Sequence, residues 1–88
     1  MHHDLKQFDG NFQDIVDGKQ RAMNRMNDRN YQVGDTMTLR EGHDSLEGYQ
    51  YSGRLVSCRI SHTDRFGCQS GYLNLSIDNV GLLIIDNK

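Results

Sequence analysis

Apolar residues recur at two different spacings along this chain. Near the start they follow a helical period: Phe8, Phe12, Ile15 and Val16 stand at i, i+4, i+7 and i+8, the stripe that an amphipathic helix buries along one side. The pattern predicts a short helix over residues 9–17. Asp9 is placed to cap its free N–H groups, with Phe8 as the apolar residue before the cap. Gly18 is placed to end it in a left-handed conformation. About three turns do not persist alone in water, so the helix must pack onto another element.

That element is predicted to be a sheet. From residue 31 onward the apolar positions alternate with a period of two, the mark of strands with one buried face. Met37 and Leu39 share one face of "TMTLRE" (36–41), with Tyr31 and Val33 extending the same parity upstream. "GYQYSGR" (48–54) carries two tyrosines on one face and a turn at Ser52-Gly53. "LVSCRISH" (55–62) places Val56, Cys58 and Ile60 together, and "GYLNLSI" (71–77) places Leu73, Leu75 and Ile77 together. "EGHDSLEG" (41–48) reads as an exposed hairpin loop. "GLLIIDNK" (81–88) reads as a last strand or a peripheral tail covered by a partner. A helix followed by four or five strands with glycine turns gives an α+β class with a curled, mostly antiparallel sheet or small barrel. Phe12, Ile15, Val16, Leu39, Val56, Ile60, Leu73, Leu75 and Ile77 are expected in its core.

Eighty-eight residues make one domain, 1–88, with a small core. Mean hydropathy is −0.76. No apolar run is long enough for a membrane-spanning helix. "MHHDLKQF" lacks the apolar stretch of a signal peptide, so a cytoplasmic protein is expected. Cys58 and Cys68 show no metal-binding spacing and are expected as free thiols. His2, His3, His43 and His62 form no ligand cluster, so no metal or cofactor is expected. Net charge is −2, which argues against broad, indiscriminate nucleic-acid binding. The charge is uneven, however. Asp4, Asp9, Asp14 and Asp17 load the first segment, and Lys19, Arg21, Arg25 and Arg29 follow, so a local positive patch is compatible with the negative total.

The candidate chemistry concentrates in "RMNDRNYQVGD" (25–35). Arg25 and Arg29 offer forked donors suited to phosphate or a carbonyl edge. Asn27 can present a donor and an acceptor to a base edge. A purely structural role is equally open: Asn27 and Asp28 are good turn residues, asparagine tolerates a left-handed backbone, and Asp28 can pair with either arginine. Gly34-Asp35 suits a tight turn, with the aspartate bonding back to the backbone. Tyr49, Tyr51 and Tyr72 read as half-buried sheet residues more readily than as stacking platforms. No Ser/His/Asp arrangement, phosphate-binding loop or dinucleotide motif is present.

"HDLK" (3–6), "GK" (18–19) after the helix, "RMNDRNYQVGD" (25–35), "YSGR" (51–54) and "GYLNLSI" (71–77) occur in this order. This layout resembles the DUF3850 family, small phage and prophage proteins of the ASCH/PUA-like superfamily. The resemblance covers about residues 3 to 77. It implies a PUA-like, ASCH-type curled barrel of about five strands with one or two short flanking helices. It also implies RNA or nucleotide binding in a cleft near the "GK" segment. Under it, His3 and Lys6 of the first strand and Lys19 join Arg25, Asn27, Asp28 and Arg29 as ligand-binding candidates. One branch of the superfamily hydrolyses the acetyl amide of N4-acetylcytidine with a lysine, a threonine and a glutamate. This chain departs from that pattern, with Gln20 where the family has a second lysine and Met23 where it has the glutamate. Neither side chain can serve as base or nucleophile there. The expectation is therefore a non-enzymatic RNA- or nucleotide-binding module, phage- or prophage-encoded and cytoplasmic in the host. The alternative is a phage protein that binds and modulates a host protein such as a defence or nucleic-acid enzyme. The amidohydrolase reading ranks last.

Overall fold

In the computed structural model, residues 1–84 are described, apart from the side chains of Phe8 and Asp9. The expected cap at Asp9 and its apolar companion Phe8, like residues 85–88 of the apolar run, therefore lie outside what is described. The elements in chain order are β1 (His2–Phe8), α1 (Asp9–Val16), β2 (Ala22–Met26), β3 (Thr36–Ser45), β4 (Gly48–Asp64) and β5 (Tyr72–Ile84). The strands form one sheet in the order β1-β3-β4-β5-β2. β1 runs parallel to β3, and the other neighbouring pairs are antiparallel. The sheet curls into a half-barrel around one core.

The helix forms where its stripe predicts. Phe12 and Ile15 are fully buried, and Val16 packs against the core from a partly exposed position. Gly18 takes φ +75°, and the backbone N–H groups of Lys19 and Gln20 both close onto the Asp14 carbonyl at 2.9 and 3.0 Å. This reversal needs the left-handed residue that glycine supplies without strain. The strand faces also sit as their alternation requires: Met37, Leu39, Val56, Cys58, Ile60, Leu73, Leu75 and Ile77 are all buried.

Several expectations are corrected. The helix is not the first element, because β1 precedes it. Its inward positions are His3, Leu5 and Gln7, and two polar residues out of three hide the alternation. Tyr31 and Val33 do not extend β3. They lie in a turn stretch in which Gly34 (φ +94°) donates to the Ile60 carbonyl, leaving Tyr31 buried and Val33 59% exposed. Ser52-Gly53 is no chain reversal but an irregularity inside β4, with Gly53 at φ +95°. The register slips there between Arg40 and Gly42 on β3, as bulges do when they bend a strand. "EGHDSLEG" is mostly strand: β3 runs through Ser45, and the reversal is confined to Leu46 and Glu47. Gly42 is obligatory there, since a Cβ would collide with the Gln50 carbonyl and the Tyr49 ring. Residues 81–84 of the apolar run continue β5 and are exposed.

Cys58 and Cys68 are free thiols. Burial pushes the Cys58 thiol up to about 11, so almost none of it is the reactive thiolate at neutral pH. Alkylation of the native protein is expected to label Cys68 alone, with Cys58 reacting only in denaturant. Equal native labelling of both cysteines, read by intact mass, would place Cys58 outside the core.

Candidate groove between the two sheet edges

β1 and β2 are the two edges of the sheet, and the curl brings them face to face. Between them lies an open groove of about 710 Å³. Arg25 spans it from β2. Its Nη2 donates to the backbone carbonyl of Lys6 at 3.3 Å and to Gln7 Oε1 at 2.9 Å, both on β1. Its Nε lies 3.4 Å from the Met23 sulfur. The seam that the backbone leaves unpaired is thus closed at one point by a guanidinium. That also masks part of an exposed strand edge.

Arg25 heads a directional string of amides along the groove floor. The Gln7 amide donates to Asn11 Oδ1 at 2.6 Å, Asn11 donates to Gln20 Oε1 at 3.2 Å, and Gln20 donates to the Ala22 carbonyl at 3.1 Å. Each amide retains a second N–H and a second carbonyl lone pair for a ligand. Gln20, which stands where the resembling family has lysine, is here an ordered member of a neutral chain. Tyr31, Tyr51 and Tyr72 contribute to the walls.

Four of the sequence-predicted site residues meet in this groove: Lys6, Arg25, Asp28 and Arg29. The Lys6 ammonium sits 5.0 Å from the centre of the Tyr49 ring. Among the described residues, neither Arg29 nor Asp28 has a side-chain hydrogen bond or ion pair, although, behind the Arg40 hydrogen bond, the Arg29 charge helps to lower the Asp4 pKa. The cations elsewhere on the sheet are committed. Arg40 binds Asp4 through two bonds of 2.8 and 2.9 Å, Arg54 binds Glu41 likewise at 2.8 Å, and Arg59 binds Asp78 at 2.9 and 2.7 Å. The Arg40 guanidinium holds the Asp4 carboxyl below its ordinary value, so this groove-lining carboxylate stays ionised and is paired with Arg40.

Three candidates lie elsewhere. Lys19 is exposed beyond the end of α1 and does not line the groove. Asn27 shapes the loop instead: its Oδ1 accepts from the Tyr31 backbone N–H at 3.1 Å, and its own N–H bonds the Gly71 carbonyl. The left-handed residue of that loop is Asn30, at φ +52°, and not Asn27. His3 is 4% exposed and faces the core, with its Nε2 2.9 Å from Asp35 Oδ2 and its ring edge-on to Tyr31 at 4.8 Å. An inward position on β1 explains this, since His3 shares the parity of Leu5. Four amide residues of the groove, Gln7, Asn11, Gln20 and Asn24, are among those that sequence reasoning did not assign to a ligand. Gln7 alone carries a usable signal, a polar side chain at a buried strand position.

Asp35 exceeds its expected turn role. Its carboxylate accepts from the Gln32 backbone N–H at 3.0 Å, from His3, and from the Met1 amino group at 3.1 Å. The His3 hydrogen bond leads the effects that lower its pKa from 3.8 to about 2. A carboxylate with a depressed folded-state pKa adds stability that is complete above the unfolded value and is lost as pH falls through the folded one. For Asp35 that window runs from about pH 4 down to about pH 2. Glu41, Asp64 and Asp78 are shifted in the same direction and share the acid limb. In thermal melts from pH 6 to pH 2, Asp35→Asn is expected to melt lower than wild type at pH 6 but to lose less on acidification. Parallel curves would show that Asp35 contributes nothing to the acid limb.

Comparison with known proteins follows the same ground. The profile of DUF3850, a domain of unknown function, matches residues 2–77, a stretch that contains every residue of the groove. The chain is also similar to a protein of Escherichia phage P2 described as an uncharacterized 12.9 kDa protein in the GpA 3' region. The two are 39% identical over 59 residues, which is 67% of this chain. The match takes in 50% of the phage protein, so this chain spans about half the length of that curated relative.

Proposed function

This chain belongs to the DUF3850 family, and from the groove built within the shared region we propose a non-enzymatic PUA-like module that binds RNA or a nucleotide between β1 and β2. One observation carries the reading. Arg40, Arg54 and Arg59 are spent on carboxylates, whereas Lys6 and Arg29 line the groove with no hydrogen-bonded or ion-paired partner among the described residues. Cations without a hydrogen-bonded carboxylate, beside amides and tyrosines that also line the groove, match what a nucleotide presents: phosphate, base edge and ring face. We read the protein as phage- or prophage-encoded and active in the host cytoplasm.

The basic area is small, so few phosphates are engaged. With Lys6, Arg25 and Arg29 each meeting one phosphate, log K for a single-stranded RNA should fall against log[salt] with a slope of roughly −2. Fluorescence anisotropy with a labelled RNA oligomer, competed by mononucleotides and by duplex DNA, tests this. Binding that survives in a Lys6→Ala/Arg29→Ala double variant would remove the groove from the function.

No hydrolysis of N4-acetylcytidine is expected. Gln20 carries no titratable proton and is held between Asn11 and Ala22, and Met23 offers only a thioether to Arg25. Lys6 is the lysine that lines the groove. Turnover above a heat-killed control, abolished by Lys6→Ala, would make this an enzyme with a relocated site.

A second reading, binding of a host protein, draws on the exposed apolar residues Leu82, Leu83 and Ile84. Nuclease-treated pull-down from bacterial lysate separates the two readings. A host protein retained after nuclease and lost in Leu82→Lys would favour the second.

A further inference from the structure

Tyr31 belongs to the core and to the groove at once. It is 4% exposed, against 54% for Tyr51 on the same groove. Its ring stands edge-on at 4.8 Å to His3, which Asp35 holds in turn, and its backbone N–H donates to Asn27 Oδ1 at 3.1 Å. Ring and backbone are therefore both fixed, and the hydroxyl points where the fold aims it.

A tyrosine buried this deeply ordinarily finds a hydrogen-bond partner for its hydroxyl. Here none of the described residues supplies one. Yet among the described residues no side-chain oxygen or nitrogen is sealed from solvent without a partner. Both statements hold together only if the hydroxyl is the part of Tyr31 that solvent reaches, and the space that Tyr31 lines is the groove. Burial raises the Tyr31 pKa above its ordinary value, so at neutral pH the hydroxyl keeps its proton and can donate. The charges that act on it are those of Arg25, Asp28 and Arg29, all of which line the groove as well.

We propose that the Tyr31 hydroxyl and the Arg29 guanidinium form a phosphate subsite of this groove, an inference that rests on nucleotide binding there. Phosphate oxygens accept and do not donate, and both groups donate. Arg25 is already committed to Gln7 and to the Lys6 carbonyl, which leaves Arg29 as the guanidinium free to close on the same phosphate. The balance of charge favours an anion: Lys6, Arg25 and Arg29 stand against Asp28 and an Asp4 that Arg40 pairs. A donor fixed before the ligand arrives adds affinity without an ordering cost. The amides of Gln7, Asn11 and Gln20 are left for the base.

A labelled RNA oligomer followed by fluorescence anisotropy, displaced in turn by AMP, CMP, GMP and UMP and by the matching nucleosides, tests the subsite. Against wild type the monophosphates should compete better than their nucleosides. Tyr31→Phe removes the hydroxyl alone. It should weaken the monophosphates by roughly 10- to 150-fold, the span of a hydrogen bond to a charged group, while the nucleosides compete as before. Because both groups hold one phosphate, Tyr31→Phe and Arg29→Ala together should cost less than the sum of their separate losses. The hydroxyl bonds nothing within the protein, so Tyr31→Phe should melt at or above wild type. Monophosphates no better than nucleosides against wild type, equal losses of both in Tyr31→Phe, no loss of either, losses that add in full, or a lowered melting temperature each overturn the subsite. An oligomer that wild type binds and Lys6→Ala/Arg29→Ala releases then preserves the wider groove reading, whereas a wild type that binds no RNA removes both.

Discussion

Arg29→Ala is expected to weaken ligand binding while leaving the melting temperature unchanged. A hydrogen bond to a charged group is worth about 1.5–3 kcal/mol, which at about 1.4 kcal/mol per decade is a loss of roughly 10- to 150-fold. Arg29 makes no side-chain bond among the described residues, so its removal costs the fold little. Arg25→Ala should behave differently, because Arg25 also bridges the seam. Its loss leaves Gln7 Oε1 and the Lys6 carbonyl without their donor, and because water can reach both through the open groove the stability cost should be about 0.5–1.5 kcal/mol. The pair of variants thus separates binding from architecture. If Arg25→Ala melts like wild type, the bridge is not holding the seam. If both variants bind like wild type, the groove is not the ligand site.

Leu75→Ala should lower the stability of the protein by about 2–5 kcal/mol. Leu75 is fully buried in β5, opposite Met23 of β2 and Thr63 of β4, where rigid neighbours on both sides limit collapse around the lost methyl groups. In a domain of this size each kcal/mol moves the melting temperature by about 4–8 °C, so the drop should be about 10 °C or more. Val33→Ala, at an exposed turn residue, should stay within about 0.5 kcal/mol. Urea titration measures both. A Leu75→Ala variant as stable as Val33→Ala would contradict the packing described for the sheet.

Part of the groove was legible beforehand. Arg25, Asp28 and Arg29 stand together in sequence, and Lys6 was reachable through the family resemblance. His3 was assigned to the site on the same resemblance, yet it packs inward against Tyr31 and Asp35. Lys19 was assigned with it and stays exposed outside the groove. The motif fixes which residue types occur, but the direction of a side chain depends on strand parity. In β1 that parity was masked because His3 and Gln7 occupy inward positions that apolar residues usually mark.

What the sequence determined by itself is what short-range periodicity can encode. The stripe Phe12, Ile15 and Val16 with Gly18 behind it defines a helix and its end. The alternations 37/39, 56/58/60 and 73/75/77 define strands and the face each one buries. These are local signals, because side-chain direction repeats within a few residues along any one element. Strand neighbours, by contrast, were decided by tertiary structure. No local pattern states that β1 runs parallel to β3, or that β2 crosses to the far edge and lies against β5. The groove depends on both facts at once. Lys6 and Arg25 are 19 residues apart in the chain and belong to opposite edges of a five-stranded sheet. They meet because twisted strands curl the sheet until its two edges approach, and a contact created by curvature has no signature in the spacing of the residues that make it.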